Sequence, residues 1–151
     1  MCALPILGGA LIDHLAGSPI KLLENARFDA VEVVRQITHL CPSFNDVTVY
    51  DGQPVRFLKR AQILASDLAG ALSEDGAPAL TGLEHLTAFA DYKVPQVLRA
   101  YGLISYAAPL AIRIDNLLEL APGSREEIEI RAATIWAVEL LRRELAEQGV
   151  S

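Results

Sequence analysis

The sequence predicts a mainly α protein, a helical, bundle-like domain interrupted by one small β-hairpin. Three observations carry this. Apolar residues recur at intervals of three and four along most of the chain, the spacing of one buried helix face. Strand-like alternation occurs in one place, around Asp51-Gly52, a pair well suited to a two-residue hairpin turn. Finally, Ser124-Arg125-Glu126-Glu127 follows Pro122-Gly123, and a Ser with a Glu three residues later opens a helix by capping its first amides.

Length and composition agree with a packed fold. With 151 residues, 52% of them hydrophobic and 21% charged, the chain suffices for one domain with its own core and is not disordered. No apolar run reaches the length of a membrane span. The start, Met1 to Gly9, has no basic flank and contains Pro5, so it reads as a ragged terminus rather than a secretion signal. Cys2 and Cys41 make neither a CxxC pair nor a disulfide framework, and a reducing, cytoplasmic setting is expected. The net charge of −6 disfavours polymeric DNA or RNA, which calls for a basic patch. Small phosphorylated substrates remain open, because one or two local cations hold a single phosphate.

The elements follow in order. Leu22, Leu23, Ala26, Ala30, Val33, Val34 and Ile37 set Ile20 to Leu40 on one helical stripe, which Cys41-Pro42-Ser43 stops. Val47 and Val49, then Val55 and Phe57, alternate with polar residues on either side of Asp51-Gly52, and Pro54 limits this hairpin to a short edge ribbon. A helix is expected from about Lys59 to Leu72, ended by Ser73-Glu74-Asp75-Gly76-Ala77-Pro78. Shorter helices are expected over Gly82 to Ala90, Pro95 to Ala100 and Ala108 to Glu119, punctuated by Gly76, Gly102 and Gly123. The last helix carries Ile128, Ala132, Ile135, Val138, Leu141 and Leu145 as one apolar stripe.

Three constellations can carry chemistry. In Phe89-Ala90-Asp91-Tyr92-Lys93-Val94-Pro95-Gln96 an acid, two aromatics and a cation gather beside a proline. Asp91 could be a catalytic carboxylate, with Phe89 or Tyr92 as a stacking face for a planar base. It could equally cap the next helix while the aromatics pack in the core; local physics favours that slightly. In Phe57-Leu58-Lys59-Arg60-Ala61-Gln62, Lys59, Gln62 and Ser66 share one helix face. Two cations at the positive end of a helix are unfavourable unless an anion is bound there; the plainer account is a solvated basic pair. In Arg125 to Arg131, Glu127 and Arg131 stand four apart and suit an intrahelical ion pair, with Trp136 expected in the core. His14, His39 and His85 show no ligand spacing, so no metal is expected, and no cofactor-binding glycine motif or GxSxG is present.

Together these segments resemble the queuosine salvage protein family, the queuosine 5′-phosphate N-glycosylases. The matching pieces are Pro42-Ser43-Phe44-Asn45-Asp46-Val47 with Asp51-Gly52, Phe57-Leu58-Lys59-Arg60-Ala61-Gln62-Ile63-Leu64, Phe89 to Leu98, and Glu127-Ile128-Glu129-Ile130-Arg131 with Trp136 and Glu139-Leu140. The resemblance runs from about Leu11 to the end. It implies a mostly helical fold similar to the helical DNA glycosylases and release of the 7-deazaguanine base queuine from queuosine 5′-phosphate for reinsertion into tRNA. It implies that Asp91 is the active-site aspartate, stabilising oxocarbenium-like charge at the ribose and positioning or activating water. A 7-deazapurine lacks the N7 that purine hydrolases protonate, so departure leans on the sugar cation, which a fixed carboxylate suits. Lys59 is then expected to meet the phosphate or orient Asp91, with Phe89, Tyr92, Arg60, Gln62 and Arg131 as substrate-binding candidates. Position 58 is Leu where the family commonly has Tyr.

The family extends further at both ends, with a histidine and aromatics ahead and an acidic, aromatic segment behind. The chain is therefore expected to be a single helical domain, an incomplete version of the longer one. Two functions are carried forward: the glycosylase, and a non-catalytic helical remnant that binds a nucleotide or protein without turnover. Base excision from DNA follows only from fold analogy, and the net charge speaks against it.

Overall fold

A computed structural model describes residues 8, 9, 12–74 and 77–150. It is mainly helical, with one two-stranded hairpin. The expectations for Met1 to Leu7, and for Asp75 and Gly76 after the fourth predicted segment, lie outside the described residues. The chain divides into two compact units, one of Met1–Val47 and Arg56–Thr87, the other of Thr48–Val55 and Ala88–Ser151.

The first unit holds helices α1 (Pro19–Asn25), α2 (Ala30–Leu40) and α3 (Lys59–Glu74), with single 3-10 turns at Pro42–Phe44 and Leu83–His85. Its core gathers Leu22, Leu23, Val33, Ile37, Phe44 and Leu80 around α3. Ala61 and Ala65, one turn apart and fully buried, keep α3 slim where it packs.

The single helix expected over residues 20–40 is broken. Every predicted stripe residue is buried, yet α1 ends at Asn25 and Arg27 and Phe28 adopt left-handed φ of 52° and 54°. The cause lies elsewhere in the sequence. Thr81 N–H donates to Phe28 O at 2.8 Å, Ala30 N–H donates to Thr81 O at 2.8 Å, and Thr81 Oγ1 donates to Phe28 O at 3.0 Å. Asp29 then caps α2, its Oδ1 accepting Glu32 N–H at 2.8 Å. The corner keeps the apolar positions buried while redirecting the chain, and periodicity alone cannot register it.

The helix expected from Gly82 to Ala90 is also absent, apart from the turn at Leu83–His85. From Leu86 to Tyr92 the chain is non-helical. Side-chain bonds from Gln62 hold Thr87 instead, so the amide that would propagate a helix is already engaged.

The hairpin pairs β1 (Val47–Tyr50) with β2 (Gln53–Arg56). Asp51 and Gly52 both have positive φ, 47° and 77°, as a type I′ turn requires. Its faces are the reverse of the valine pattern: Val47 and Val49 are exposed, whereas Thr48 and Tyr50 are half-buried. Tyr50 decides the orientation, since its hydroxyl donates to Glu129 and its ring lies under the Arg125 guanidinium.

In the second unit α4 (Lys93–Ala100), α5 (Ala108–Asp115) and α6 (Arg125–Glu147) follow. α4 starts two residues before the expected Pro95, which occupies the first turn, where its missing N–H costs nothing. α5 stops at Asp115 rather than Glu119 because Leu117 (φ 57°) turns left-handed. Leu118 N–H donates to Arg113 O and Leu117 N–H to Ile114 O, a Schellman ending. At the start of α6, Ser124 Oγ accepts Glu127 N–H at 3.3 Å, the first half of the expected capping box; Glu127 Oε2 reaches one residue further back, accepting Gly123 N–H at 3.2 Å, because Ser124 N–H is taken by Ala121 O.

The stripe on α6 is only partly covered. Ile128 is buried, Ile135 and Val138 are half-buried, and Leu141 and Leu145 are exposed. Trp136, expected in the core, is 61% exposed. α6 has 23 residues and its helical neighbour α4 has 8, roughly 34 Å against 12 Å, so α4 covers only a few turns. Among the described residues no helix is long and apolar enough to cross a membrane.

Candidate functional site

The predicted site residues fall into both units: Lys59, Arg60 and Gln62 in the first, Phe89, Asp91, Tyr92 and Arg131 in the second. Within the first unit, the turn before α3 is shaped by Asp46. Its backbone carbonyl accepts from Phe57 and Leu58 N–H at 3.0 and 3.2 Å, and its Oδ2 accepts Lys59 N–H at 3.3 Å. The anion that the charge argument called for at this helix start is thus supplied by the chain itself. Sequence reasoning quoted Asp46 within a motif but gave it no role; an acid thirteen positions before two cations at a helix start was the available signal. Leu58 takes a left-handed φ of 49°.

Arg60 is exposed, lies 4.9 Å above the Phe44 ring centre and donates to Ser43 O at 3.3 Å. With Phe44, Ile63, Leu64 and Asp67 it lines an open cleft of about 310 Å³. Gln62 does not face that cleft. It is 7% exposed, and its carboxamide bonds to Phe57 O and to Thr87.

In the second unit, Asp91 is half-buried and its Oδ1 accepts two backbone amides, Lys93 N–H at 2.8 Å and Val94 N–H at 3.0 Å. The helix-capping role weighed from the sequence is therefore real. It also fixes the carboxylate's orientation beside the first turn of α4. Phe89 is half-buried, while Tyr92 is 70% exposed with Lys93 Nζ 5.3 Å from its ring centre, so Tyr92 is not a core residue. Arg131 pairs with Glu127 at 3.5 Å, as their spacing predicted. Farther along α4, Gln96, Arg99 and Ala100 line a cleft of about 360 Å³ with Tyr106 and Ile114. Arg99 is held there by Asp115 through bonds of 2.6 and 3.0 Å. Neither of these clefts is lined by Asp91 or Lys59. Among the described residues no group of three His, Cys, Asp or Glu side chains is placed to hold a metal ion.

The two motif strings thus sit at matching places, each opening a helix whose first amide is taken by an aspartate: Asp46 for α3, Asp91 for α4. A family model described as "Queuosine salvage protein" matches residues 2–151. The chain belongs to the queuosine salvage protein family. Three relatives bear the name queuosine 5′-phosphate N-glycosylase/hydrolase. The one from Sphaerobacter thermophilus is 50% identical over 142 residues, covering 94% of this chain and 44% of its own length. That from Dictyostelium discoideum is 38% identical over 136 residues, 90% of this chain and 42% of its own. That from Bos taurus is 34% identical over 140 residues, 93% and 41% respectively. The chain therefore spans less than half the length of these queuosine salvage relatives.

Proposed function

We propose that this chain carries the Asp91-bearing part of a queuosine 5′-phosphate N-glycosylase site, hydrolysing the N-glycosidic bond to release queuine. The observation that supports it most is the Asp91 carboxylate, fixed by two backbone amides within the family's most specific string. A carboxylate held in one orientation stabilises positive charge developing at C1′ without reorganising when the base departs. It can also orient the water that attacks the same carbon. Water adds to C1′, the C1′–N9 bond breaks, and the proton released by the water compensates the charge on the departing base. Lys59 meets the 5′-phosphate or orients the carboxylate. Phe89 and Tyr92 shape the base pocket, and Arg60 and Arg131 bind substrate polar groups. No cofactor is required, the substrate is a small nucleotide rather than a nucleic-acid polymer, and a cytoplasmic setting suits tRNA salvage.

A second reading is binding without turnover. It is favoured by Asp91 serving already as a helix cap. Incubating the chain with queuosine 5′-phosphate and measuring free queuine separates the two. The glycosylase reading expects release that Asp91→Asn abolishes while the helical spectrum is unchanged. Binding with no release supports the second reading, and release that survives Asp91→Asn removes Asp91 from the chemistry.

A further inference from the structure

The first unit holds a cleft that the proposed reaction does not use, with a volume of about 170 Å³. Its polar lining comes from three places in the chain: His14 ahead of α1, Asn25 at the end of α1, and Arg35, Gln36 and His39 on α2. Leu15, buried in the core, supplies an apolar wall. Arg35, Gln36 and His39 are neighbours on one face of α2. The opposite face, with Val33, Val34 and Ile37, is committed to the core.

Every polar group of the lining can donate a hydrogen bond, and none is a carboxylate. Guanidinium and carboxamide groups carry several N–H donors, and an imidazole keeps one even when neutral. Such a lining runs against the composition of a chain with 19 acidic residues and 13 Lys and Arg. The one acid on α2, Glu32, is already engaged. Its Oε2 accepts Arg35 Nε at 2.7 Å, and its Oε1 accepts Arg35 Nη2 at 2.5 Å and Gln36 Nε2 at 2.9 Å. This pairing holds the guanidinium side-on and leaves Nη1 outside the pair.

Size and geometry set the class of ligand. The cleft is smaller than the roughly 300 Å³ at which pockets begin to enclose drug-sized molecules, so it does not enclose a whole nucleotide. It is several times the ~30 Å³ of one water, so a polyatomic ion fits. Donors from three chain segments suit a tetrahedral oxyanion better than a planar carboxylate, which a single two-pronged donor satisfies.

We propose that this cleft binds a phosphate-type oxyanion, held by Arg35 Nη1 and the imidazoles of His14 and His39, with Asn25 and Gln36 as further donors. Lys59 does not line it, and the proposal does not rest on the glycosylase reading. The shared chemistry has two sources: free phosphate, or a phosphomonoester whose organic part stays outside the cleft.

Titrating the whole chain with inorganic phosphate, at fixed pH and ionic strength, tests this through the histidine ring C–H resonances. Those of His14 and His39 should move and saturate, while those of His85, outside the cleft, stay in place. Arg35→Gln should weaken binding about ten-fold, the usual loss of one charge-assisted hydrogen bond. Arg143→Gln, which removes an equally exposed arginine paired with Glu139, should leave it unchanged. Should Arg35→Gln not fold, His39→Ala, at an exposed position, takes its place with a loss expected in the same direction. Ribose 5-phosphate separates the sources: tighter binding than phosphate supports the site as one for a phosphomonoester, and equal or weaker binding supports it as one for free phosphate. The proposal is overturned if phosphate moves neither His14 nor His39, or moves His85 equally. Chloride moving them in the same saturable way, acetate binding as tightly as phosphate, or Arg143→Gln weakening binding as much as Arg35→Gln also overturns it.

Discussion

Tyr50 donates its hydroxyl to Glu129 at 2.5 Å across 79 positions of sequence, and the same hydroxyl accepts from Arg125 Nη2 at 2.7 Å. Arg125 in turn pairs with Asp51 in the hairpin turn and with Glu129 on its own helix. This cluster pins the hairpin to the first turns of α6. It also explains why β1 shows its tyrosine rather than its valines to the rest of the second unit.

The bond to Glu129 raises the Tyr50 hydroxyl above its ordinary value of 10.0. The stabilisation is thus fully present below 10.0 and is lost as pH climbs through the raised folded value. Tyr50→Phe should melt at a lower temperature than the unsubstituted chain at neutral pH. The gap should close well above pH 10, which paired melting curves over that range will show.

On α6, bonds from Arg142 and then Arg143 hold the Glu139 carboxyl at about 2, against an ordinary 4.5. A depressed carboxylate stabilises the fold above 4.5, and that contribution disappears as pH falls through about 2. Glu139→Gln should lower the melting temperature near neutrality and have no effect at the acid end. Because the pairs are solvent-exposed, added salt should shrink the difference at neutral pH as well.

Capping by Asp91 is separable from the chemistry proposed for it. Asn retains an Oδ1 that can accept the Lys93 and Val94 amides, so Asp91→Asn should leave stability nearly unchanged. It should lower queuine release by about 10²-fold or more, the usual loss when charge stabilisation is removed. Asp91→Ala removes the cap too and should cost about 1 kcal/mol of stability in addition. Denaturant unfolding beside product assays distinguishes these.

Gly82 has φ 76°, and a Cβ there would lie 3.0 Å from Asp29 Oδ2, whereas the Cβ at Gly52 (φ 77°) would meet nothing within 4 Å. Gly52→Ala should cost about 1–2 kcal/mol, the strain of a left-handed alanine. Gly82→Ala should cost more, because it also pushes on the carboxylate that caps α2. The difference between the two unfolding free energies isolates that contact.

What could be read from the sequence was whatever neighbouring residues determine together. The Asp51-Gly52 turn, the start of α3, the cap at Ser124 and the Glu127–Arg131 pair all have their causes within a few positions. What could not be read was set by distant partners. Thr81 breaks the helix predicted through Ala26 to Asp29, and Gln62 keeps Leu86 to Ala90 from coiling. Leu141 and Leu145 follow a sound apolar period, but a period says which face is apolar, not whether anything covers it. The capping bonds of Asp91 to Lys93 and Val94 lie within three residues and were legible, whereas those of Asp46 were not, because its partner amide at Lys59 lies thirteen residues away.

α6 is one helix by its backbone but two by its support. Its first half is held by Ile128, Thr134 and the hairpin cluster. Beyond Leu140 every described side chain is exposed, and the last turns rest on their own hydrogen bonds and on the Glu139 pairs. A segment held so locally opens without the rest of the unit. Trypsin, which needs an opened backbone at an arginine, will therefore find Arg142 and Arg143 before it finds Arg131, and a brief digest of the native protein should trim the chain there first.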